Sequence, residues 1–155
     1  MATLKWFLFA MLLTSVACTR TARLYPVAPI SASAPVIVGK IHGAFSAGTV
    51  SFALPGGEVC KGRWTLVPLP NSTGKDAPSE LGPVWDQVYG SGYYLAHVVG
   101  TRLYARAAAV GNRGTTLYIE FHQSATAVTP NTNTVASING VAKDNSNNIF
   151  KLTFD

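Results

Sequence analysis

After residue 35 the chain alternates. Leu117, Ile119 and Phe121 fall on one parity of the segment 115–123, and Tyr118, Glu120 and His122 on the other. That period of two is the mark of a strand with one buried face. Phe150, Leu152 and Phe154 repeat it over 149–154. Apolar or β-branched runs also occupy 36–44, 49–54, 58–67, 93–99, 102–110 and 135–143. Turn residues separate the runs: Ala47-Gly48, Pro55-Gly56-Gly57, Gly100, Gly111-Asn112-Arg113-Gly114 and Asp144-Asn145-Ser146-Asn147-Asn148. The spacing predicts a mainly β fold, an antiparallel β-sandwich or small barrel of about eight strands. One short helix is expected at 83–90, where Val84, Trp85 and Val88 share a helical face and Gly90 ends it. It is expected to pack over an opening of the sheet. No internal repeat is evident.

The front of the chain has a different pattern. Trp6–Ala17 is an apolar stretch of 12 residues behind Lys5. A membrane-spanning helix needs about 20 such residues, so this one is short and matches an export-signal core. Thr14-Ser15-Val16-Ala17-Cys18 then resembles the lipobox of bacterial lipoprotein precursors. Ser15 departs from the leucine of the strongest lipoboxes. The resemblance covers only the leader. It implies cleavage between Ala17 and Cys18, a diacylglyceryl group on the Cys18 thiol and an acyl group, such as palmitate, on its new amine. Two or more acyl chains would anchor the protein firmly, since each buried methylene contributes about 0.8 kcal/mol. Thr19 stands where an aspartate retains such proteins in the inner membrane, so the outer membrane of the bacterial envelope is expected. The competing reading is ordinary secretion, because Ser15-Val16-Ala17 also fits the small-x-small rule of general signal peptidase.

The expected organisation is a signal peptide over 1–17, a lipidated N-terminus and tether over 18–34, and a β-domain over 35–155. Small and polar residues with Pro26 and Pro29 suggest the tether. Leu24-Tyr25-Pro26-Val27 is apolar enough to dock instead as a short edge strand. Without 1–17 the chain keeps 138 residues, one ordinary domain by length.

The formal charge is +5, and the cations are scattered rather than blocked. That describes a solvated surface better than a nucleic-acid stripe, so no nucleic acid is expected as partner. Of the two cysteines, lipidated Cys18 would leave Cys60 buried and free. General secretion would allow a Cys18–Cys60 bridge, and a Cys60–Cys60 dimer is a third outcome.

The body resembles a diffuse group of small uncharacterised proteobacterial lipoproteins. The residues that carry this are Leu24–Val27, Leu54–Trp64, Trp85 with Val88-Tyr89-Gly90, and Gly140–Asp144 with Asn148–Lys151. The resemblance implies no activity.

Chemistry is sparse. Glu58, Lys61, Arg63 and Trp64 could grip an acidic or sugar ligand, or form a plain hairpin with Cys60 and Trp64 facing inward. Glu120 and His122 share a face and could do acid–base work in a pocket, though such a face is usually solvated. His42 and His97 read as structural. Asp144–Asn148 lacks the central glycine and terminal glutamate of a calcium loop and reads as a turn. No catalytic residue, metal site or cofactor is expected. Trp64, Trp85, Tyr89, Tyr93 and Tyr94 are the binding candidates, since aromatics suit sugar stacking and partner anchoring alike. Trp85 could equally plug the end of the β-core. The expected function is a noncatalytic, lipid-anchored envelope protein, partnered by the membrane and by an envelope protein, polysaccharide or small ligand. The alternative is a small periplasmic hydrolase, or a protein inhibitor of an envelope-directed hydrolase.

Overall fold

A computed structural model describes residues 18–28, 34–44, 46–68, 79–101, 103–124 and 137–155. The expected signal peptide (1–17) and part of the expected tether (29–33) lie outside the described residues. Eight strands form one closed antiparallel barrel in sequence order: β1 (Cys18–Ala28), β2 (Ile37–Ala44), β3 (Ala47–Ala53), β4 (Val59–Leu66), β5 (Tyr104–Gly111), β6 (Thr116–Gln123), β7 (Ile138–Asp144) and β8 (Ile149–Phe154). The seam is β1 on β8, from Ala22 opposite Phe154 to Ala28 opposite Ile149. The register shifts between Pro26 and Ala28. A proline cannot donate to a ladder, and a bulge is where a strand tolerates one.

Two expectations about strands are corrected. The stretch read as a tether contains β1, a wall strand paired on both sides. Its inward positions are Cys18, Arg20, Ala22 and Leu24; the last two are fully buried. The expected strand at 93–99 is instead a five-residue π-helical turn, Tyr94–Val98. Tyr94 and Val98 are its buried pair, four apart, which is helical spacing.

The interior mixes large and small side chains. Leu24, Val50, Phe52, Leu117, Ile119 and Leu152 are almost wholly buried and meet Ala105, Ala107, Ala109 and Ala142 from neighbouring strands. Each fully buried large side chain contributes about 1.5–3 kcal/mol. Small residues are required where a ring lies against neighbouring strands. A Cβ at Gly43 or Gly48 would run into the Trp64 indole. The Trp64 Nε1–H donates to the His42 carbonyl at 2.9 Å.

One end of the barrel carries the β3–β4, β5–β6 and β7–β8 turns. Gly56 and Gly57 there have φ of +83°. That conformation favours glycine. Inward-facing Glu58 ties two hairpins together at this end. Its carboxylate accepts from the Arg113 N–H (2.9 Å), the Thr115 N–H (3.1 Å) and the Thr115 hydroxyl (2.7 Å). The Thr115 hydroxyl is the chief reason its pKa falls below the ordinary carboxylate value. Asp144 organises the last turn in the same way, accepting from the N–H groups of Ser146 and Asn148. The Asp144–Asn148 segment is thus a turn built by its own side chains.

Helix α1 (Gly82–Tyr89) closes at Gly90, whose N–H donates to the Asp86 carbonyl. The expectation that it covers an opening of the sheet is also corrected. Together with the π-helical turn it lies on the outer wall over β5–β8, packing Leu81, Val84, Trp85, Tyr94 and Val98 against Tyr104 and Val141. This makes a second, smaller core outside the barrel.

Candidate functional site

The other end is a mouth, formed where β1, β3, β5 and β7 begin and β2, β4, β6 and β8 finish. A cavity of about 190 Å³ opens there, lined by the inward residues of those strand ends. Trp64, Phe121 and Phe154 form its aromatic side. The Trp64 and Phe121 rings meet edge-on at 5.6 Å, as do those of Phe121 and Phe154. Leu66, Leu103, Ile41 and Ile138 add aliphatic surface, and Cys18, Arg20 and Gln123 contribute the polar rim. The hole follows from the fold. Gly43 and Gly48 leave room for the indole beside β2 and β3, and the ring lines the cavity at the end of the barrel.

The expected binding aromatics divide between two places. Trp64 lines the mouth. Trp85, Tyr89, Tyr93 and Tyr94 gather on the outer wall, where their rings stack: Tyr89 on Tyr93 at 4.6 Å and Trp85 on Tyr89 at 5.5 Å. This cluster is not an open stacking platform. Trp85 is wholly buried and Tyr94 nearly so. Burial pushes the Tyr89 hydroxyl up to about 12. That hydroxyl bridges both backbone groups of Gly140.

Glu120 and His122 are buried, against the expectation of a solvated face. Both Glu120 oxygens are occupied. Oε1 accepts from the Ser79 hydroxyl and from Arg106 Nε (2.9 Å), and Oε2 from the Trp85 indole N–H (2.8 Å). Burial, with the Glu120 carboxylate second, raises the neighbouring Tyr104 hydroxyl's pKa. His122 touches Trp85 edge-on, and its Nε2 lies 3.3 Å from the Tyr93 hydroxyl. Its Nδ1 is buried without a partner among the described residues, and burial lowers its pKa below the ordinary imidazole value. An imidazole and a carboxylate so enclosed hold the helical layer to the wall.

A shallower groove of about 770 Å³ runs beside that layer, between Arg63, Tyr118, Lys143, Glu80 and Asp144. Charges of both signs line it. Lys61 and Arg63 face outward while Glu58 faces inward, so the residues of that hairpin do not converge on one ligand. Among the described residues, no group of three His, Cys, Asp or Glu side chains is placed to hold a metal ion.

Cys18 is exposed and Cys60 buried, and both thiols are free. The row of paired residues leading from Cys18 passes through Gly43 and Gly48 to Trp64. Cys60 lies four residues further along β4, about 13 Å at strand rise. A disulfide needs Cα atoms within about 7 Å, so the two ends of the barrel keep these cysteines apart. Burial, with Glu58 nearby, raises the Cys60 thiol's pKa and leaves it an inert part of the core.

Fold and site together define a small up-and-down β-barrel with a helical layer on its outer wall and an apolar mouth. Comparison with family models, characterised proteins and solved structures finds no match to this chain.

Proposed function

We propose that the chain is a lipid-anchored, noncatalytic protein of the bacterial envelope, in the outer membrane, whose barrel binds a small apolar ligand through its mouth. The observation that carries the reading is the aromatic-lined cavity at the end of the barrel where Cys18 stands. An apolar pocket with a few polar groups at its rim is the usual form of a small-molecule site, and barrel mouths commonly supply one. Its volume suits a compact group. A cavity of about 150 Å³ lined by similar side chains takes up benzene.

The lipid anchor rests on the leader and on the position of Cys18. Because β1 begins at Cys18, acyl chains there would hold the rim of the barrel directly at the bilayer surface. The mouth would face the lipid, and an apolar ligand could pass between membrane and barrel without crossing water. The noncatalytic reading is supported by the full use of both Glu120 oxygens within the helical layer.

The test is a titration of the full chain in nanodiscs with benzene, followed through the Trp64 indole N–H resonance. The expected result is a saturable shift of that resonance, lost in Ile138→Trp, which fills the cavity. A Trp64 signal indifferent to benzene would reject the mouth as a ligand site. The anchor is tested separately by the mass of the N-terminal peptide from the membrane fraction. An unmodified Cys18 would reject the lipoprotein reading.

A further inference from the structure

We propose that the ligand of the mouth is a small amphiphilic anion. Its apolar body, a single ring or a chain of about six carbons, enters the cavity, and its carboxylate meets Arg20 at the rim. This inference rests on the reading of the mouth as a ligand site and adds the ligand's charge.

Arg20 occupies an unusual position for a cation. It sits on the inward parity of β1, two residues before fully buried Ala22, and it lines the cavity. Three other arginines of the barrel are committed. Arg23 holds Asp155 at 2.8 Å, Arg106 holds Glu120, and Arg113 donates to the Gly56 carbonyl at 2.7 Å. Arg20 forms no ion pair among the described residues. Among the described residues the cavity lining contains no aspartate or glutamate. Asp155, which follows Phe154 of the lining, is bound to Arg23 on the outer face of β1.

An unopposed guanidinium beside apolar wall selects by charge. Its planar fork matches a carboxylate, and charge-assisted hydrogen bonds exceed neutral ones in strength. The apolar wall excludes water from one side of the pair, so its attraction is screened less than on an open surface. A neutral head of the same size gains only an ordinary hydrogen bond, and a cationic head is repelled. The Gln123 amide, also at the rim, can donate to the same carboxylate or accept from a protonated one. The outer groove makes no such selection. There Arg63 and Lys143 alternate with Glu80 and Asp144, and the surface is open.

The experiment compares three probes with one tail: hexanoate, hexan-1-ol and hexylamine. Each is titrated calorimetrically into the full chain in nanodiscs, with empty nanodiscs subtracted. The expected order is hexanoate tightest and hexylamine weakest. Hexanoate should exceed hexanol by roughly fivefold, between an exposed ion pair and a buried charge-assisted hydrogen bond. Arg20→Gln should abolish that difference, bringing hexanoate affinity down to about that of hexanol, and leave thermal stability unchanged. The preference should also shrink as salt rises. Equal binding of hexanoate and hexanol overturns the inference while leaving the mouth a ligand site. A hexanoate preference that survives Arg20→Gln overturns it in the same way. Failure of all three probes to bind overturns both the inference and the reading beneath it.

Discussion

Trp85→Phe is the sharpest test of the outer layer. The substitution keeps a ring in the stack with Tyr89 and Tyr93 but removes the indole N–H. Among the described residues, that N–H is the donor to Glu120 Oε2, at 2.8 Å, while Ser79 and Arg106 serve Oε1. The variant therefore strands one oxygen of a buried carboxylate. Leaving such a group unpaired costs about 1–3 kcal/mol. The smaller ring also leaves a void. Complete truncation of a buried Trp costs about 3–5 kcal/mol, so Phe forfeits about a third of that. Together the loss is about 2–4 kcal/mol, a large part of the ~5–15 kcal/mol that holds a domain folded. At this chain length it corresponds to a fall in Tm of roughly 10 °C. Urea unfolding by far-ultraviolet circular dichroism measures the loss. Repeating it with Glu120→Gln, alone and combined, isolates the pairwise part, expected at about 1–2 kcal/mol. A single-variant loss below about 0.5 kcal/mol would refute the reasoning, because the outer layer would then not depend on the indole–carboxylate bond. A substantial loss with no coupling to Glu120 would assign the whole effect to ring packing.

Four further outcomes are expected. His122 is buried with its pKa lowered, so the unfolded chain takes up its proton first as pH falls. Its stabilising contribution is complete above about pH 6.5 and declines below it, so wild type should lose more stability than His122→Gln between about pH 7.5 and pH 5.5 in urea titrations. Equal losses would remove His122 from that account. Cys18→Ser should move the protein from the membrane to the soluble fraction in cell fractionation, with the Tm of the barrel unchanged; retention in the membrane counts against the anchor. Gly43→Ala should displace the Trp64 indole, breaking its bond to His42 and shifting the Trp64 indole resonance, with a stability cost of about 1–3 kcal/mol in urea. Glu58→Gln should lower Tm at neutral pH, and the difference from wild type should shrink in acid, since the lowered pKa means that Glu58 stabilises the fold more when ionised than when protonated.

The wall strands are legible where both parities announce themselves. Thr116–Gln123 and Ile149–Phe154 carry large apolar side chains inward, and alternation alone places their ends to within a residue. Turns are legible for a related reason: Gly56, Gly57 and Asp144 act locally and need no knowledge of the rest of the chain. The expected count of eight strands conceals two opposite differences. Tyr93–Val99 has strand-like composition, but a closed barrel offers it no free edge, and its aromatics bury more surface on the outer wall. β1 is hidden because Cys18, Arg20 and Ala22 are not large apolar residues, although they hold the inward parity. Its pairing is set by β2 and β8, and the latter lies at the far end of the sequence.

That second difference bears on the candidate site more than on the fold. Read as a tether, Cys18 and Arg20 belong to a spacer that keeps the domain away from the membrane. As the first residues of a wall strand they become part of the mouth, beside Trp64, Phe121 and Phe154. A signal is present in the sequence. Gly43, near the end of one apolar run, and Gly48, just before the next, both face inward, and a small residue facing inward makes room for a large ring. What the sequence does not supply is the ring: Trp64 stands on a third strand, and the register of β2, β3 and β4 sets it beside both glycines. Closure of the barrel reverses the meaning of the outer face. With the interior filled by the wall's own side chains, the helical layer could bury its aromatics only against the outside of β5–β8. It drew Glu120 and His122 into a structural role, and the proposed ligand site is the mouth, with Arg20 at its rim.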